Sequence, residues 1–431
     1  MEHRRVSKES PRLAGKLSDR LEPTRDLHMN LVLLTQYYPP EIGAPQARLS
    51  ELAAHFVRRG HSVTVLTAMP NYPTGKIYPG YGGVWQREQR DGVNVIRTFI
   101  YPTQKADFLR RLTNYFSFVV SSGLLGSALL GRADFLLVES PPLFLGLSGV
   151  WLSRLKRARL IFNVSDLWPQ SAVELGMLRP GSLAFRVSAW LEAFCYRHAW
   201  LVSGQSKSIL ASITERFPDC SVFHLSNGVD TQRFRPQQQA KAMRGALNMN
   251  GHFVALYAGL HGLAQGLDQV LSAAAALRTE DDLQFVLVGD GPEKPALRER
   301  ARQRALTNVR FLDPRPAEEM PQLLATADVV LVPLKKHIPG AVPSKLYEAM
   351  ASEKPVILVA SGEAAEIVRN QQAGIVVEPG NEAGFSQAVR TLRTQPALCR
   401  TLGENGRRAA EQYFDRTKIA SRFIEHLEAN V

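Results

Sequence analysis

The sequence predicts an α/β protein in which two Rossmann-like domains face each other across a cleft. Apolar runs of strand length alternate with amphipathic helical patterns, and the order strand, glycine-bearing loop, helix, strand occurs in both halves of the chain. The 431 residues are enough for two domains with full hydrophobic cores. We expect residues 29–228 to form the first domain, residues 229–412 the second, and residues 413–431 a helix that crosses back to the first.

The composition is that of an ordinary soluble chain with a basic balance. Hydrophobic residues make up 45% and charged residues 21%, and the net charge of +12 calls for an acidic partner. No zinc-finger spacing, helix-turn-helix or aromatic RNA-binding strand is present, so we expect no nucleic acid partner. The three isolated cysteines form no metal-ligand set and no disulfide framework, which favours a reducing compartment. Residues 1–28 have no apolar signal-peptide core and predict a disordered basic lead.

The first domain opens with a strand at 30–35, a loop that carries Gly43 and Ala44, a helix, and a strand at 62–67. The loop is not G-x-G-x-x-G, so we expect no dinucleotide cofactor. Gly43 either lets a phosphate or sugar approach the backbone closely or is only a turn glycine. Further strands are predicted at 93–99, 135–138, 159–163 and 201–203.

Asp166 follows a predicted strand that ends at Val164. At the carboxyl end of a parallel strand a side chain lines the crevice of the sheet. The Asp166 carboxylate therefore either accepts a hydrogen bond from a substrate hydroxyl or caps the next helix.

The segment Phe108–Leu130 differs from the rest of the first domain. Arg110 and Arg111 precede a run, 115–130, without any charge. That run is shorter than the about 20 apolar residues that a membrane span requires. A basic start followed by aromatic and aliphatic residues is typical of a helix that lies in the membrane interface, and the alternative is a buried core helix.

The second domain repeats the opening pattern of the first. A strand at 253–258 is followed by a turn with Gly259 and Gln265, a helix at 267–277 and a strand at 283–288. A later strand at 327–334 leads into a loop with Gly340 and Ala341, a helix, and a strand at 356–359.

The helix after that loop is the strongest site candidate. Ser344 is a good N-cap, and Lys345 and Glu348 share one helix face. A helix N-terminus after a Gly/Pro loop offers free N–H groups and positive partial charge to a phosphate. Lys345 adds a full charge, and Glu348 has the oxygens to accept two ribose hydroxyls. The alternative is a solvated helix face with an incidental Lys–Glu pair.

Five motifs stand in one order along the chain: Pro39–Gly43, Arg59–His61, Asn227–Asp230, Gly289–Pro292 and Pro343–Glu348. Together they resemble the retaining glycosyltransferases of family 4, which have the GT-B fold. Three segments look most like the WbuB-type N-acetylfucosamine transferases of polysaccharide assembly: Ser165–Pro169, Leu263–Leu267 and Pro343–Lys345.

Two departures from the family pattern concern the donor site. The family often carries two glutamates eight residues apart, and here the first position is Gly340. It also often has Arg and Lys in the glycine turn, where this chain has Leu260 and Gln265. Because Gly340 cannot bind a sugar hydroxyl, we expect it to tolerate a deoxy sugar and its free volume to admit an N-acetyl group. Alternatively Gly340 only permits the turn, and Lys336 or His337 contacts the sugar.

The resemblance implies transfer of a sugar from a UDP-sugar, an N-acetylated 6-deoxyhexosamine, to a lipid-pyrophosphate-linked saccharide with retention at the anomeric carbon. It implies an enzyme of surface polysaccharide synthesis on the inner face of the plasma membrane, without cofactor or metal, since no Asp-x-Asp is present. The implied catalytic residues are Asp166 and Lys345. The implied donor-binding residues are Gly43, Ala44, Gly259, Gln265, Gly340, Ala341, Ser344, Lys345 and Glu348.

Two other functions stay open on the sequence. One is a nucleotide-sugar epimerase, because proteins with the same fold catalyse different reactions. A non-catalytic, membrane-bound scaffold of a polysaccharide complex would bind no nucleotide sugar.

Overall fold

The computed structural model describes residues 28–103, 108–174, 176–236 and 240–431. The lead predicted at residues 1–28 lies outside the described residues apart from His28. Within the described ranges the chain forms two sheets that helices cover on both faces, and none of the helices there is long and apolar enough to cross a membrane.

The first sheet has eight strands in the order β3-β4-β2-β1-β5-β6-β7-β8. All neighbours are parallel except the edge strand β3, which pairs antiparallel with β4. The strands are β1 (Asn30–Leu34), β2 (Ser62–Ala68), β3 (Trp85–Arg90), β4 (Val93–Thr98), β5 (Phe135–Ser140), β6 (Arg159–Val164), β7 (Leu201–Gly204) and β8 (Val222–His224).

Helices connect these strands and form two layers. One layer, with α1, packs on a core around Leu31, Phe56 and Val65, and the other packs on a core around Leu66, Phe118 and Phe162. The second layer holds α2, α3, α5 and α6. The helices are α1 (Ala44–Arg58), α2 (Phe108–Leu129), α3 (Leu145–Lys156), α4 (Gln170–Glu174), α5 (Leu183–His198) and α6 (Lys207–Arg216).

The second sheet is wholly parallel, in the order β11-β10-β9-β12-β13-β14. Its strands are β9 (Phe253–Ala258), β10 (Leu283–Val288), β11 (Val309–Leu312), β12 (Val329–Pro333), β13 (Val356–Val359) and β14 (Gly374–Val377). The helices are α7 (Ala240–Ala246), α8 (Asp268–Ala276), α9 (Lys294–Gln303), α10 (Met320–Ala325), α11 (Ser344–Ala351), α12 (Glu363–Asn370), α13 (Glu382–Thr394), α14 (Pro396–Ala409) and α15 (Arg416–Glu428).

The chain passes between the two sheets twice, and the two passages pair in parallel at Val229 and Asp415. The Val229 N–H donates to the Phe414 carbonyl (2.8 Å), and the Arg416 N–H donates to the Val229 carbonyl (3.0 Å). Asp415 then caps α15 by accepting from the Lys418 N–H (3.1 Å). Because α15 packs Phe423 and its apolar neighbours beside α1, the C-terminal helix lies on the first domain.

These features confirm the predicted fold class: two Rossmann-like domains, a cleft between them, and a C-terminal helix that crosses back. The cleft lies at the carboxyl ends of the parallel strands, where the first domain presents the start of α1 and the second presents the start of α11.

Candidate active site

The start of α11 is the centre of the site. The helix begins at Ser344, and its N-cap is Pro343, so the predicted N-cap at Ser344 is wrong by one residue. No side chain caps this helix. The Leu346 N–H donates to the Pro343 carbonyl at 3.0 Å. Since the proline side chain cannot compete for the first two N–H groups, those of Ser344 and Lys345 stay available to an anionic ligand.

Lys345 reaches back from α11 to the glycine turn that follows β9. Its side chain crosses the backbone of Gly259, where any side chain would overlap the Cε atom of Lys345. The Lys345 Nζ lies 5.8 Å from the ring centroid of Tyr257. Gly259 has a φ of +144° and is therefore doubly required, for its backbone conformation and for the path of the lysine.

The charges of Lys345 and Glu348 are poorly solvated. Both residues keep some exposed surface, although protein atoms surround them closely. Burial lowers the pKa of Lys345, against the opposing effect of Glu348. Burial also raises the pKa of Glu348, while Lys345, Arg416 and Arg233 act to lower it. Across the described residues no ion pair within 4.0 Å includes Lys345 or Glu348, so both have capacity for a ligand.

The glycine turn brings three strand ends close together. A side chain at Gly289 would overlap the Gly259 carbonyl, and one at Gly266, which has a φ of +56°, would meet the backbone of Lys335. Gln265 lies in this turn, half-buried, within the short helical segment Leu263–Gln265. The turn is therefore a compact backbone surface beside Lys345, with Gln265 as its neutral polar side chain.

Gly340 contradicts the expectation of free volume at this position. It is buried, its φ is +76°, and a side chain there would overlap Ile209 of α6. The Ser206 hydroxyl lies 3.4 Å from the same point. The structure thus supports the alternative reading, in which glycine permits the turn and the contact of this loop with the first domain. Ala341, the next residue, is half-buried.

Neither side chain considered as a substitute sugar contact is free in this structure. Lys336 donates from its ammonium group to the Glu174 carbonyl across the cleft. The His337 Nδ1 lies 3.0 Å from the Ser361 hydroxyl.

The predicted residues of the first domain lie on the opposite wall. Gly43 is the N-cap of α1, with a φ of 172° that any residue adopts, and Ala44 is exposed at the helix start. Burial raises the pKa of Asp166, against the opposing effect of nearby donors. In the described part of the chain no hydrogen bond joins Asp166 or Gly43 to α11.

A buried polar network at the ends of β5, β6 and β7 was missed by the sequence analysis. The Arg48 Nη2 lies 2.5 Å from Glu139, with side-chain exposures of 7% and 3%. Asn163 and Ser165 each donate to Glu139 at 2.6 Å, and Ser203 donates to Asn163 at 2.7 Å. The available signal was a polar residue near the end of each apolar strand.

A second missed feature joins the two domains. The Glu363 carboxylate, at the start of α12, accepts hydrogen bonds from the Lys207 N–H (2.9 Å), the Ser208 N–H (2.7 Å) and the Ser208 hydroxyl (2.7 Å). The second domain therefore caps α6 of the first domain, one turn from the contact of Gly340.

The described residues contain no group of three His, Cys, Asp or Glu side chains that could hold a metal ion. The positive charge of the site comes from Lys345 and from the two arginines near Glu348.

Comparison with known structures supports the same fold. Sucrose-phosphate synthase from Thermosynechococcus elongatus superposes with a TM-score of 0.72 at 19% identity, covering 94% of this chain and 100% of that one. The HepE protein of Anabaena, solved in complex with UDP-glucose, gives a TM-score of 0.71 at 20% identity, with 93% and 100% covered.

Sequence comparison points to one class of enzyme. The WcaI protein of Escherichia coli (strain K12), named as a colanic acid biosynthesis glycosyl transferase, is 27% identical over 93% of this chain and 100% of its own length. WbjE of Pseudomonas aeruginosa, named as a glycosyltransferase, is 27% identical over 55% of this chain and 60% of its own. Residues 43–226 match the family model described as glycosyl transferase 4-like domain, and residues 239–409 match the one described as glycosyl transferases group 1. The chain is therefore a glycosyltransferase of group 1, with a family 4-like first domain and the GT-B fold.

Proposed function

We propose that this enzyme transfers a sugar from a UDP-sugar to a hydroxyl of a lipid-linked saccharide, with retention at the anomeric carbon, during surface polysaccharide synthesis. The observation that carries the proposal is the placement of Lys345 across Gly259 at the uncapped start of α11, with Glu348 one turn further. A cation beside free N–H groups binds a diphosphate, and a carboxylate nearby binds a ribose.

In this proposal each part of the donor, the diphosphate and the sugar, has its own binding residues. The Lys345 ammonium group and the backbone N–H groups of Ser344 and Lys345 hold the diphosphate, and Gln265 offers a neutral donor from the glycine turn. These groups stabilise the negative charge that develops on the departing UDP, which is an electrostatic contribution to the transition state. Gly43 and Ala44, at the start of α1, approach the donor from the first domain, and the loop of Gly340 and Ala341 lies beside the sugar.

The catalytic roles are divided between the two domains. Lys345 acts on the leaving group. Asp166 lies at the carboxyl end of β6, on the acceptor wall, where its carboxylate orients the substrate hydroxyl. In this proposal the acceptor oxygen attacks the anomeric carbon on the face from which UDP leaves and gives its proton to the departing phosphate oxygen. The new glycosidic bond replaces the sugar–phosphate bond on the same face, which accounts for retention.

The comparisons support a UDP-linked donor and a role in polysaccharide synthesis, and they favour no particular sugar. HepE binds UDP and UDP-glucose according to its structures, and the name of WcaI refers to colanic acid. Our proposal of an N-acetylated 6-deoxyhexosamine rests on the WbuB-type resemblance alone, because the volume at Gly340 is filled.

We also propose that the enzyme attaches to the inner face of the plasma membrane through Phe108–Leu130. α2 buries Phe118 and Val119 in the core. Its opposite face presents apolar side chains to solvent: Phe116, Val120 and Leu124. An open, mainly apolar groove of about 810 Å³ runs along this exposed face. Such a face suits a helix that rests in the membrane interface, next to a lipid-linked acceptor.

The test measures turnover of UDP-N-acetylfucosamine, UDP-N-acetylglucosamine, UDP-glucose and GDP-mannose by the purified protein, with and without a lipid extract that supplies the acceptor. We expect UDP release that requires the extract, and a product that retains the anomeric configuration. Conversion of the nucleotide sugar without extract would instead indicate an epimerase. No binding of any donor would indicate a scaffold. A clear preference for GDP-mannose or UDP-glucose would overturn the choice of sugar while leaving the transferase reaction in place.

A further inference from the structure

Three neighbouring helices of the first domain present large apolar side chains to solvent. α2, α3 and α5 bury their inner faces in one core on the same side of the eight-stranded sheet, so their outer faces point away from that side together. The Trp151 Nε1 of α3 donates to the Ser127 hydroxyl of α2 at 2.9 Å, which joins the first two helices at the surface. The exposed apolar side chains, here called the apolar face, are Phe116, Val120, Leu124, Trp151, Leu155, Leu183, Val187 and Trp190.

α5 contributes to this face independently of α2. Leu183, Val187 and Trp190 follow one another at helical spacing and are 77%, 48% and 63% exposed. The opposite stripe of α5, with Leu191 and Cys195, is buried in the core. A helix that is apolar on both stripes needs a second apolar environment on its outer side.

The exposed charges on α2, α3 and α5 themselves, within the described residues, have one sign. α2, α3 and α5 contain a single acidic residue, Glu192, which is 1% exposed and held by Arg216 at 2.6 Å. The exposed basic residues on these helices and directly after them include Arg154, Arg157, Arg159, Arg186 and Arg197. Arginines at the rim and tryptophans within the face match an anionic lipid surface, whose interface attracts both.

We propose that α2, α3 and α5 form one docking face for an anionic bilayer, with Leu183, Val187 and Trp190 of α5 entering the interface. This inference rests on the proposed membrane attachment and extends it from one helix to a layer. A second copy of the chain is a poorer occupant, because two such faces would bring their arginines together without an acid to pair with them.

The proposed face also fixes the orientation of the enzyme. Helices of an α/β domain lie along the sheet, so a bilayer against this layer runs along the sheet rather than across its ends. The cleft at the carboxyl ends of the strands then opens sideways, close to the membrane surface. An acceptor whose lipid is in the bilayer reaches the cleft from this side without leaving the membrane.

The experiment compares flotation of the full chain with phosphatidylcholine vesicles that contain or lack phosphatidylglycerol. Three variants are used: Val187→Ser with Trp190→Ser in α5, Val120→Ser with Leu124→Ser in α2, and Val222→Ser as a control at an exposed apolar position of β8. We expect either double variant to lower the partition coefficient about tenfold or more. We expect the control to float like the unchanged protein, and anionic lipid to strengthen binding of all variants that bind.

A fluorescence measurement tests whether Trp190 itself lies in the membrane interface. Brominated lipid should quench the fluorescence of the unchanged protein, and Trp190→Phe should remove part of that quenching. Flotation of the α5 variant equal to that of the unchanged protein, while the α2 variant is lost, would overturn the three-helix face and leave the proposed attachment through α2 intact. Loss of a lipid-free dimer in the α5 variant, by sedimentation equilibrium, would also overturn it. Donor turnover with a water-soluble acceptor is unaffected by these variants, which separates this inference from the proposed chemistry.

Discussion

Replacing Lys345 by Met should stabilise the free enzyme and weaken its binding of UDP at the same time. Burial lowers the pKa of Lys345, which means that the folded chain holds the charged ammonium at a cost that the unfolded chain does not have. Methionine fills a similar volume beside Gly259 without that charge. Removing a buried charge in favour of an apolar side chain contributes about 1 kcal/mol or more to stability, or about 2–4 °C in Tm for a domain of this size.

The same change removes the cation that we place on the diphosphate. Loss of one charged hydrogen bond costs about 1.5–3 kcal/mol, so Kd for UDP should rise about ten- to a hundredfold. Calorimetric titration with UDP and thermal unfolding with and without UDP measure both effects. Lys241→Met is the matched control, since Lys241 is exposed on α7 and its loss should change neither quantity.

The pH dependence of stability supplies an independent check on the same residue. Because the pKa of Lys345 is lowered from 10.5 in the folded state, its contribution makes the free energy of unfolding rise with pH between the lowered pKa and about 10.5. Glu348 acts in the opposite sense, since its raised pKa makes stability fall as pH rises from 4.5 through the folded value. Lys345→Met should abolish the first slope and extend the second to higher pH, because Lys345 acts to lower the pKa of Glu348. A Met variant that is less stable than the unchanged protein and binds UDP equally well would refute this reasoning.

Three further substitutions test the contacts between and within the domains. Gly340→Ala should lower the free energy of unfolding by about 1–3 kcal/mol, because it strains a left-handed φ and overlaps α6; unchanged stability in urea would contradict this. Glu139→Gln should cost about 3–5 kcal/mol by leaving Arg48 buried without its partner, whereas Glu139→Leu with Arg48→Met should cost much less. Glu363→Gln should weaken the cap on α6 and increase the radius of gyration in small-angle scattering, while Glu366→Gln, exposed on the same helix, should not.

The strands that the sequence predicted best are those that are buried on both faces. β9 and β10 have the predicted bounds because each is an unbroken apolar run. β3 was missed because its residues, Trp85–Arg90, are mainly polar and form an antiparallel edge. β8, β11 and β14 were missed because they are short and only partly buried, so they lack a clear apolar pattern.

In the candidate site, the sequence predicted relations between residues that are close in sequence and missed contacts between residues that are far apart in sequence. The shared face of Lys345 and Glu348 follows from helical spacing, which the sequence contains directly. The Arg48–Glu139 pair joins positions 91 residues apart, and the Glu363 cap joins positions 156 apart. No spacing rule predicts such contacts, because the fold brings their partners together.

The long-range contacts also connect donor binding to the arrangement of the two domains. The loop that ends at Pro343 sets the position of the α11 N-terminus, and its Gly340 packs against Ile209 of α6. Glu363 caps the same helix from the other side of that loop. The end of α11 that we propose binds the diphosphate is thus held in place by the first domain as well as by its own sheet. Separation of the domains would break the contact of Gly340 with α6 and the cap that Glu363 provides. We therefore expect the proposed donor site to be complete only in the domain arrangement of this structure.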